Sequence, residues 1–273
     1  MSVKKTHFEG FQFSYLSNDL LAIHTIEQNK KWEEHISKFL KKYVEKYDVK
    51  TILDIGANFG YHTLFFSREI PEGMVYSFEP QIQNYKLLEL NVNNNKIKNV
   101  KIFNKACGNK NEKILMPLID LKNLTNNINM GDFTPNTTLP FCDRYINVDS
   151  VSVDELNIGK VDFVKIDVQG WEIKVLEGMI NTIEKYRPVL IIEFENHQMK
   201  KVEKTCQDLY NFLKDIGYCI FFLDAEYPSD HVCVHYDNLE KFYENFGENI
   251  CNHTENNYIN DNFAMGVIEK IKL

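Results

Sequence analysis

Five carboxylates in this sequence stand where apolar runs stop. Asp54 ends TILD and precedes the turn Gly56-Ala57-Asn58-Phe59-Gly60, Glu79 ends MVYSFE, and Asp167 ends FVKID. Glu193 and Glu195 end VLIIEFE, with His197 two residues further on. Glycines at 56 and 60 let a backbone turn tightly against a ligand, with helix amides presented behind the turn. A carboxylate roughly 20 residues past such a turn accepts hydrogen bonds from both hydroxyls of a ribose, and Glu79 has that spacing. The middle glycine of G-x-G-x-x-G is missing, and G-x-x-x-x-G-K-[ST] does not occur. Asp54, just before the turn, suits an ammonium or a sulfonium better than phosphates. Together these residues favour S-adenosylmethionine over NAD or ATP.

Asp167 is followed by a Gln169-Gly170 corner and a new amphipathic pattern from Trp171 and Glu172. A hydroxyl acceptor is almost fully protonated at neutral pH and needs a base or a metal ion to become a nucleophile. Asp167 is therefore the candidate base or metal ligand. His197, with an ordinary pKa near 6.5, is a second candidate base, and Glu193 a third catalytic candidate. Carboxylates converging there would also suit Mg²⁺, although no metal ligand is assigned. Glu172 is expected to be a helix N-terminal acid, Trp171 a packing residue and His62 a helix residue without chemistry. HVCVH places His231, Cys233 and His235 on one strand face, with Cys251 and His253 further on. A core strand is the preferred reading over a zinc set.

The elements that must hold these residues alternate. An amphipathic helix carries Trp32, Ile36, Phe39, Tyr43 and Tyr47 at helical spacing. Strand, helix, strand, helix and strand follow from KTILDIG to VKIFNKA, which predicts a parallel sheet covered by helices. A polar stretch over 109–150 is too long for a connector and is expected to be a functional loop or disordered. Its aromatics Phe133, Phe141 and Tyr145, with Phe11, Phe13 and Tyr15 near the N-terminus, are candidates for stacking on an acceptor. Ser152 and Glu155 fit a capping box. One helix is expected across Ile173, Leu176, Ile180 and Ile183, and another from Met199 to a C-cap at Gly217. YCIFFLD and HVCVH close the sheet as a strand pair.

The 273 residues carry 44% hydrophobic and 26% charged residues, ordinary values for a globular protein. The net charge of −8 lacks the footprint of a nucleic-acid binder. No apolar stretch approaches the roughly 20 residues that cross a bilayer, so no membrane partner is expected. Six scattered cysteines without a C-x-x-C pair point to reduced thiols in a cytoplasmic protein.

LDIGANFGYHT, SFEP, KACGN, SVDEL, VDFVKIDVQGWE…VLEG and RPVLIIEFE, in this order, resemble the FkbM-type S-adenosylmethionine-dependent methyltransferases over about residues 50–235. The resemblance implies a class I methyltransferase fold, an α/β Rossmann-like seven-stranded sheet in the order 3-2-1-4-5-7-6. The last strand would be antiparallel, with helices on both faces. It places Asp54, Gly56, Ala57, Asn58 and Gly60 around the methionine half of the cofactor and Glu79 on the ribose. Pro80 and Ala106 would flank the adenine, Thr63 would reach the carboxylate, and Asp167 would border the methyl. The family often has Glu where this chain has Gln169. The implied reaction is O-methylation of a hydroxyl on a sugar, glycan or glycosylated small molecule. The alternatives are methylation of a nucleic-acid ribose and a cofactor-fold binding module without turnover. One methyltransferase domain is expected over 1–273, with an N-terminal extension over 1–48, a core over 49–236 and a C-terminal extension over 237–273 that would permit a homodimer.

Overall fold

The computed structural model describes residues 2–120, 126–139, 142–223, 230–253 and 268–272. The chain opens with a hairpin of β1 (Val3–Phe8) and β2 (Phe11–Leu16), then α1 (Leu20–His24) and α2 (Glu34–Lys46). The core alternates β3 (Thr51–Ile55), α3 (Tyr61–Glu69), β4 (Met74–Phe78), α4 (Ile82–Asn94) and β5 (Val100–Phe103). After β6 (Ala106–Cys107), β7 (Glu112–Pro117) and β8 (Tyr145–Val151) come β9 (Phe163–Ile166), α5 (Glu172–Glu177), α6 (Ile180–Tyr186) and β10 (Val189–Glu193). Then follow α7 (Asn196–Lys200), α8 (Cys206–Asp215), β11 (Tyr218–Leu223), β12 (Asp230–His235), α9 (Leu239–Phe246), β13 (Ile250–His253) and β14 (Ile268–Ile271).

From one edge the main sheet runs β5-β4-β3-β9-β10-β12-β11-β14-β13. The first five strands are parallel, and β12 is antiparallel to both neighbours. Numbered along the chain, the first seven give the order 3-2-1-4-5-7-6. The sheet is longer than the expected seven strands, because β14 pairs with β11 and β13 with β14. The added strands cover backbone groups that an open edge at β11 would leave unpaired.

Successive residues of the central strands alternate between two apolar layers. Leu53, Val164 and Leu190 pack on one side, while Ile52, Phe163 and Ile191 meet α2 and α9 on the other. That double burial explains why these strands are apolar throughout. Of the apolar stripe predicted from sequence, Ile36, Phe39 and Tyr43 are buried in α2, which also buries Leu40, while Trp32 and Tyr47 lie outside the helix.

Several local expectations are corrected. The single helix expected over 171–186 is broken between α5 and α6. At that break a Cβ on Gly178 would lie 1.9 Å from the Gly108 carbonyl oxygen, so a distant segment sets the corner. The helix expected from Met199 to Gly217 splits into α7 and α8, and Thr205 and Asp208 form a capping box at the restart. Ser152 forms no capping box, since its hydroxyl donates to the Gly178 carbonyl at 2.8 Å. The 109–150 excursion contributes β7 and β8, which with β6 make a three-stranded sheet.

The hairpin is bound to α4 through carboxamides. Asn95 exchanges two hydrogen bonds with the Gln12 backbone, both 2.8 Å, and Asn91 does the same with Ser14. Asn91 also donates to the Phe59 carbonyl at 2.8 Å. A second tie joins residues 18–20 to the strap over 126–132. Ile128 receives a bond from Leu20 and donates one to Asn18.

Candidate functional site

The turn after β3 is fastened to its neighbours by main-chain bonds. Gly56 and Ala57 N–H both donate to the Phe78 carbonyl, and Asn58 N–H donates to Glu79 Oε2 at 2.8 Å. Glu79 Oε1 accepts from Gln81 N–H at 2.8 Å, so one carboxylate closes both turns. Gly56 has φ +87°, and a Cβ there would sit 1.8 Å from the Asp167 carbonyl oxygen. Only a glycine lets β3 and β9 end this close together. Gly60 serves packing, because a Cβ there would meet Leu88 on α4 at 2.6 Å.

This turn opens on a cleft of about 580 Å³ bordered by Gly56, Asn58, Glu79, Pro80, Ala106 and Asp167, with Trp171 and Phe133 among its apolar walls. Asn58 Oδ1, Asn84 Oδ1 and Trp171 Nε1, all on residues of this wall, are buried without a partner among the described residues. Two acceptors and a donor are thus left for a polar, partly aromatic ligand. Burial pushes the Glu79 carboxyl up to about 8 against its two amide donors, with Asp167 and Asp54 adding to the rise. Asp54 and Thr63 stay behind the turn. Thr63, expected at the ligand carboxylate, is fully buried and donates instead to Asp54 Oδ2 at 2.5 Å. Asp54 Oδ1 has no hydrogen-bond partner among the described residues.

A second cleft, of about 770 Å³, shares Gly56, Asn58, Gly131, Asp167 and Gln169 with the first. Its other walls include Trp32, Tyr61, His62, Lys165, Glu193 and Glu195. Asp167 therefore stands at the junction. Its Oδ2 accepts from Lys165 Nζ at 2.9 Å and its Oδ1 from Gln169 Nε2 at 2.8 Å. Burial opposes ionisation of Asp167, but the Lys165 ammonium outweighs it and holds the carboxyl below its ordinary range. Burial drives Glu193 the other way, well above the usual carboxylate, with Asp167, Asp230 and Glu195 adding to it.

The remaining candidates are distributed unevenly. Ala57 borders the second cleft, and His197 sits on its rim, largely exposed, with Nδ1 3.1 Å from Glu195 Oε1. Glu172 is buried and accepts from the Val168 and Gly170 N–H groups, bracing the corner after Asp167 as well as starting α5. The proposed stacking aromatics are elsewhere. Phe13 and Tyr15 are in the core, Phe11 packs on Phe65, Phe133 borders the first cleft, Tyr145 accepts a bond from Leu139 N–H, and Phe141 lies outside the described residues. The aromatics that border the second cleft are Trp32, Phe59 and Tyr61. His62, expected to be a helix residue without chemistry, lies on α3 with its Nε2 2.8 Å from Glu33 Oε2 beside the second cleft. Lys165 had one legible signal, a lysine inside an otherwise apolar strand, whereas Glu33 had none.

Among the described residues no three His, Cys, Asp or Glu side chains are grouped to hold a metal ion. His231 packs on Phe194 and Phe222, Cys233 is a buried free thiol, and the side chains of Cys251 and His253 lie outside those described. No described helix is long and apolar enough to cross a membrane.

The family model for the methyltransferase FkbM domain matches residues 54–220, more than half of the chain. The chain belongs to this family. Its cofactor is S-adenosylmethionine. Solved structures are similar to the chain at low identity. Methyltransferase FkbM from Methylobacillus flagellatus KT is 15% identical with a TM-score of 0.47, covering 69% of this chain and 44% of that one. This chain thus spans less than half of that relative's length. A putative caffeoyl-CoA O-methyltransferase from Staphylococcus aureus is 14% identical with a TM-score of 0.50, covering 79% and 90%. SMU.1697c, a putative methyltransferase from Streptococcus mutans in complex with SAH, is 13% identical with a TM-score of 0.46, covering 76% and 98%. No curated protein sequence matches the chain significantly.

Two expected results test this site. Glu79→Ala removes the carboxylate that borders the cofactor cleft and frees two backbone amides. S-adenosylmethionine affinity should fall roughly 10- to 100-fold in a calorimetric titration; undiminished affinity would remove Glu79 from the cofactor site. The second concerns pH. Glu79 at about 8, Glu172 at about 7 and Asp19 and Asp230 at about 6 all lie above their unfolded values. The native state keeps protons that the unfolded chain sheds above about pH 4 to 4.5. Asp167, shifted down, contributes in the opposite sense, and only below that range. The melting temperature of the ligand-free protein should therefore be lower at pH 8 than at pH 6.

Proposed function

We propose that this protein transfers the methyl group of S-adenosylmethionine to a hydroxyl of a sugar, glycan or glycosylated small molecule. The observation that carries the reading is the meeting of two clefts at Asp167, a carboxylate kept ionised by Lys165. S-adenosylmethionine supplies an electrophilic methyl on a sulfonium. The protein's task is to place an acceptor oxygen in line with it, and positioning of this kind provides much of the rate. Gly56 lets the main chain of the cofactor turn lie against Asp167, so donor and acceptor share one wall. Asp167 accepts a hydrogen bond from the acceptor hydroxyl, orients its lone pair and takes the proton as the new bond forms. Lys165 fixes that carboxylate, and Trp32 offers aromatic surface to a sugar ring. Glu33, Asp132, Asp167 and Glu195 give the acceptor cleft a negative character. This favours a neutral polyol over a ribose within a phosphate backbone, which would call for basic side chains.

Asp167→Asn should lower methyl transfer to a carbohydrate panel by about 10²- to 10⁴-fold, with S-adenosylmethionine still bound. Mass spectrometry of the panel checks both the activity and the variant. Transfer to an amine or carbon acceptor alone, or an active Asp167→Asn enzyme, would sink the reading.

A further inference from the structure

We infer that residues 129–135 of the strap form a single wall shared by the two clefts, so that filling the first cleft tightens acceptor binding in the second. Gln198 is the positioning residue that sets this wall on the acceptor side. The inference rests on the reading that cofactor takes the first cleft and acceptor the second.

The wall is one chain thick. Met130, Phe133 and Pro135 border the first cleft, Asn129 and Asp132 border the second, and Gly131 borders both. Gly131 lies directly on the turn after β3, because a Cβ there would meet Asn58 Nδ2 at 2.9 Å. Asn58 also borders both clefts. Close-packed protein transmits strain instead of absorbing it. A segment whose alternate residues meet two clefts therefore does not shift on one side alone.

Each side of the wall has its own anchor. On the first, Asn84 on α4 donates through Nδ2 to the Met130 carbonyl at 2.8 Å. That bond fixes the carboxamide and leaves Oδ1 an acceptor without a partner among the described residues. A ligand that donates to Oδ1 also polarises the amide and strengthens its hold on the strap. On the second side, Gln198 is almost completely buried on α7. Its Nε2 donates to Asp132 Oδ1, while its Oε1 accepts from Thr134 Oγ1 at 3.1 Å and from Lys201 Nζ. Lys201 Nζ is also 3.5 Å from Asp132 Oδ1. The Gln198 main chain abuts the corner after Asp167, where a Cβ on Gly170 would lie 2.5 Å from its carbonyl oxygen. One residue thus braces the strap against the corner that carries Asp167.

The cofactor thereby completes the acceptor cleft. Buried polar atoms without partners are costly, so a ligand that satisfies Asn84 Oδ1 settles the strap in one position. The effect is reciprocal, and an acceptor in the second cleft holds the cofactor more tightly by the same factor.

The chain has two tryptophans, Trp171 on the first cleft and Trp32 on the second, so each cleft has its own reporter. S-adenosylhomocysteine is titrated into Trp32→Phe, where Trp171 emission should change as the first cleft fills. Calorimetric binding without that change would place the ligand elsewhere and overturn the inference. In Trp171→Phe the remaining tryptophan does not border the ligand's cleft, yet acrylamide quenching of Trp32 should fall with the calorimetric Kd. Unaltered quenching at saturation would overturn the shared wall. Gln198→Met, added to Trp171→Phe, keeps the length of the side chain and loses its hydrogen bonds. It should leave S-adenosylhomocysteine bound and abolish the Trp32 response; a retained response would remove Gln198 as the positioning residue. Methyl glycosides should bind roughly 5- to 150-fold more tightly to the S-adenosylhomocysteine complex than to the free protein. In Gln198→Met the two affinities should be nearly equal. A merely structural Gln198 would weaken both and leave their ratio unchanged. Failure of every glycoside to bind would overturn the acceptor reading, while the Trp32 response still decides the coupling.

Discussion

Gly56→Ala should abolish measurable S-adenosylmethionine binding and lower the melting temperature markedly. The added methyl meets the Asp167 carbonyl oxygen at 1.8 Å, a contact that only a backbone shift relieves. The φ of +87° adds a cost of about 1–2 kcal/mol for a residue with a Cβ. Relief requires β3 and β9 to part, yet Asp167 N–H donates to the Ile55 carbonyl at 3.0 Å across that gap. Both clefts are disturbed by one carbon atom. Gly60→Ala is the informative comparison. Its methyl would press on the end of the Leu88 side chain, so it should cost stability while leaving more cofactor affinity. Titration calorimetry and thermal melts on the two variants measure the contrast. Equal affinity in Gly56→Ala and the wild type would show that the turn is not the cofactor site.

Lys165→Met should be the second severe change, and for an electrostatic reason. Lys165 is almost completely buried, and its burial is tolerated because Asp167, Glu33 and Asp54 surround it. Breaking one partner of a buried ion pair typically costs about 3–5 kcal/mol, because the other charge is left uncompensated. Without the ammonium, burial governs Asp167 and its carboxyl rises toward protonation. The variant should lose methyl transfer near neutral pH and recover part of it as pH rises through the new Asp167 pKa. A double-mutant cycle with Asp167→Asn separates the two effects. The combined variant should be more stable than the sum of the single losses implies. Additive losses in chemical denaturation would mean that the 2.9 Å contact carries no coupling.

The sequence disclosed those features of the site that are local. Asp54, Glu79 and Asp167 each close an apolar run, and burial on both faces of a strand makes such a closing carboxylate legible. The strand order followed from the family resemblance rather than from any periodicity. What escaped is tertiary. His62 has the pattern of an ordinary helix residue, and only the return of Glu33 from the N-terminal segment gives it a partner. Thr63 was misplaced because its side of α3 faces Asp54 and Ser77 and turns away from the cofactor cleft. The break between α5 and α6 depends on Gly108, seventy residues earlier in the chain than Gly178. Nothing in the spacing of Gln169 reveals that it joins Asp167 to Glu193, since the second acid arrives on a neighbouring strand.

The carboxamides of α4 have a practical consequence for anyone trimming this chain. The family match begins at residue 54, yet Asn91 and Asn95 serve β2 as the edge of a missing strand would. Asn91 spends its other N–H on the Phe59 carbonyl, inside the cofactor turn itself. A fragment cut to the family boundary would strip these two side chains of their partners and slacken the turn after β3. The hairpin belongs in any expression fragment meant to bind cofactor, even though no family motif lies within it.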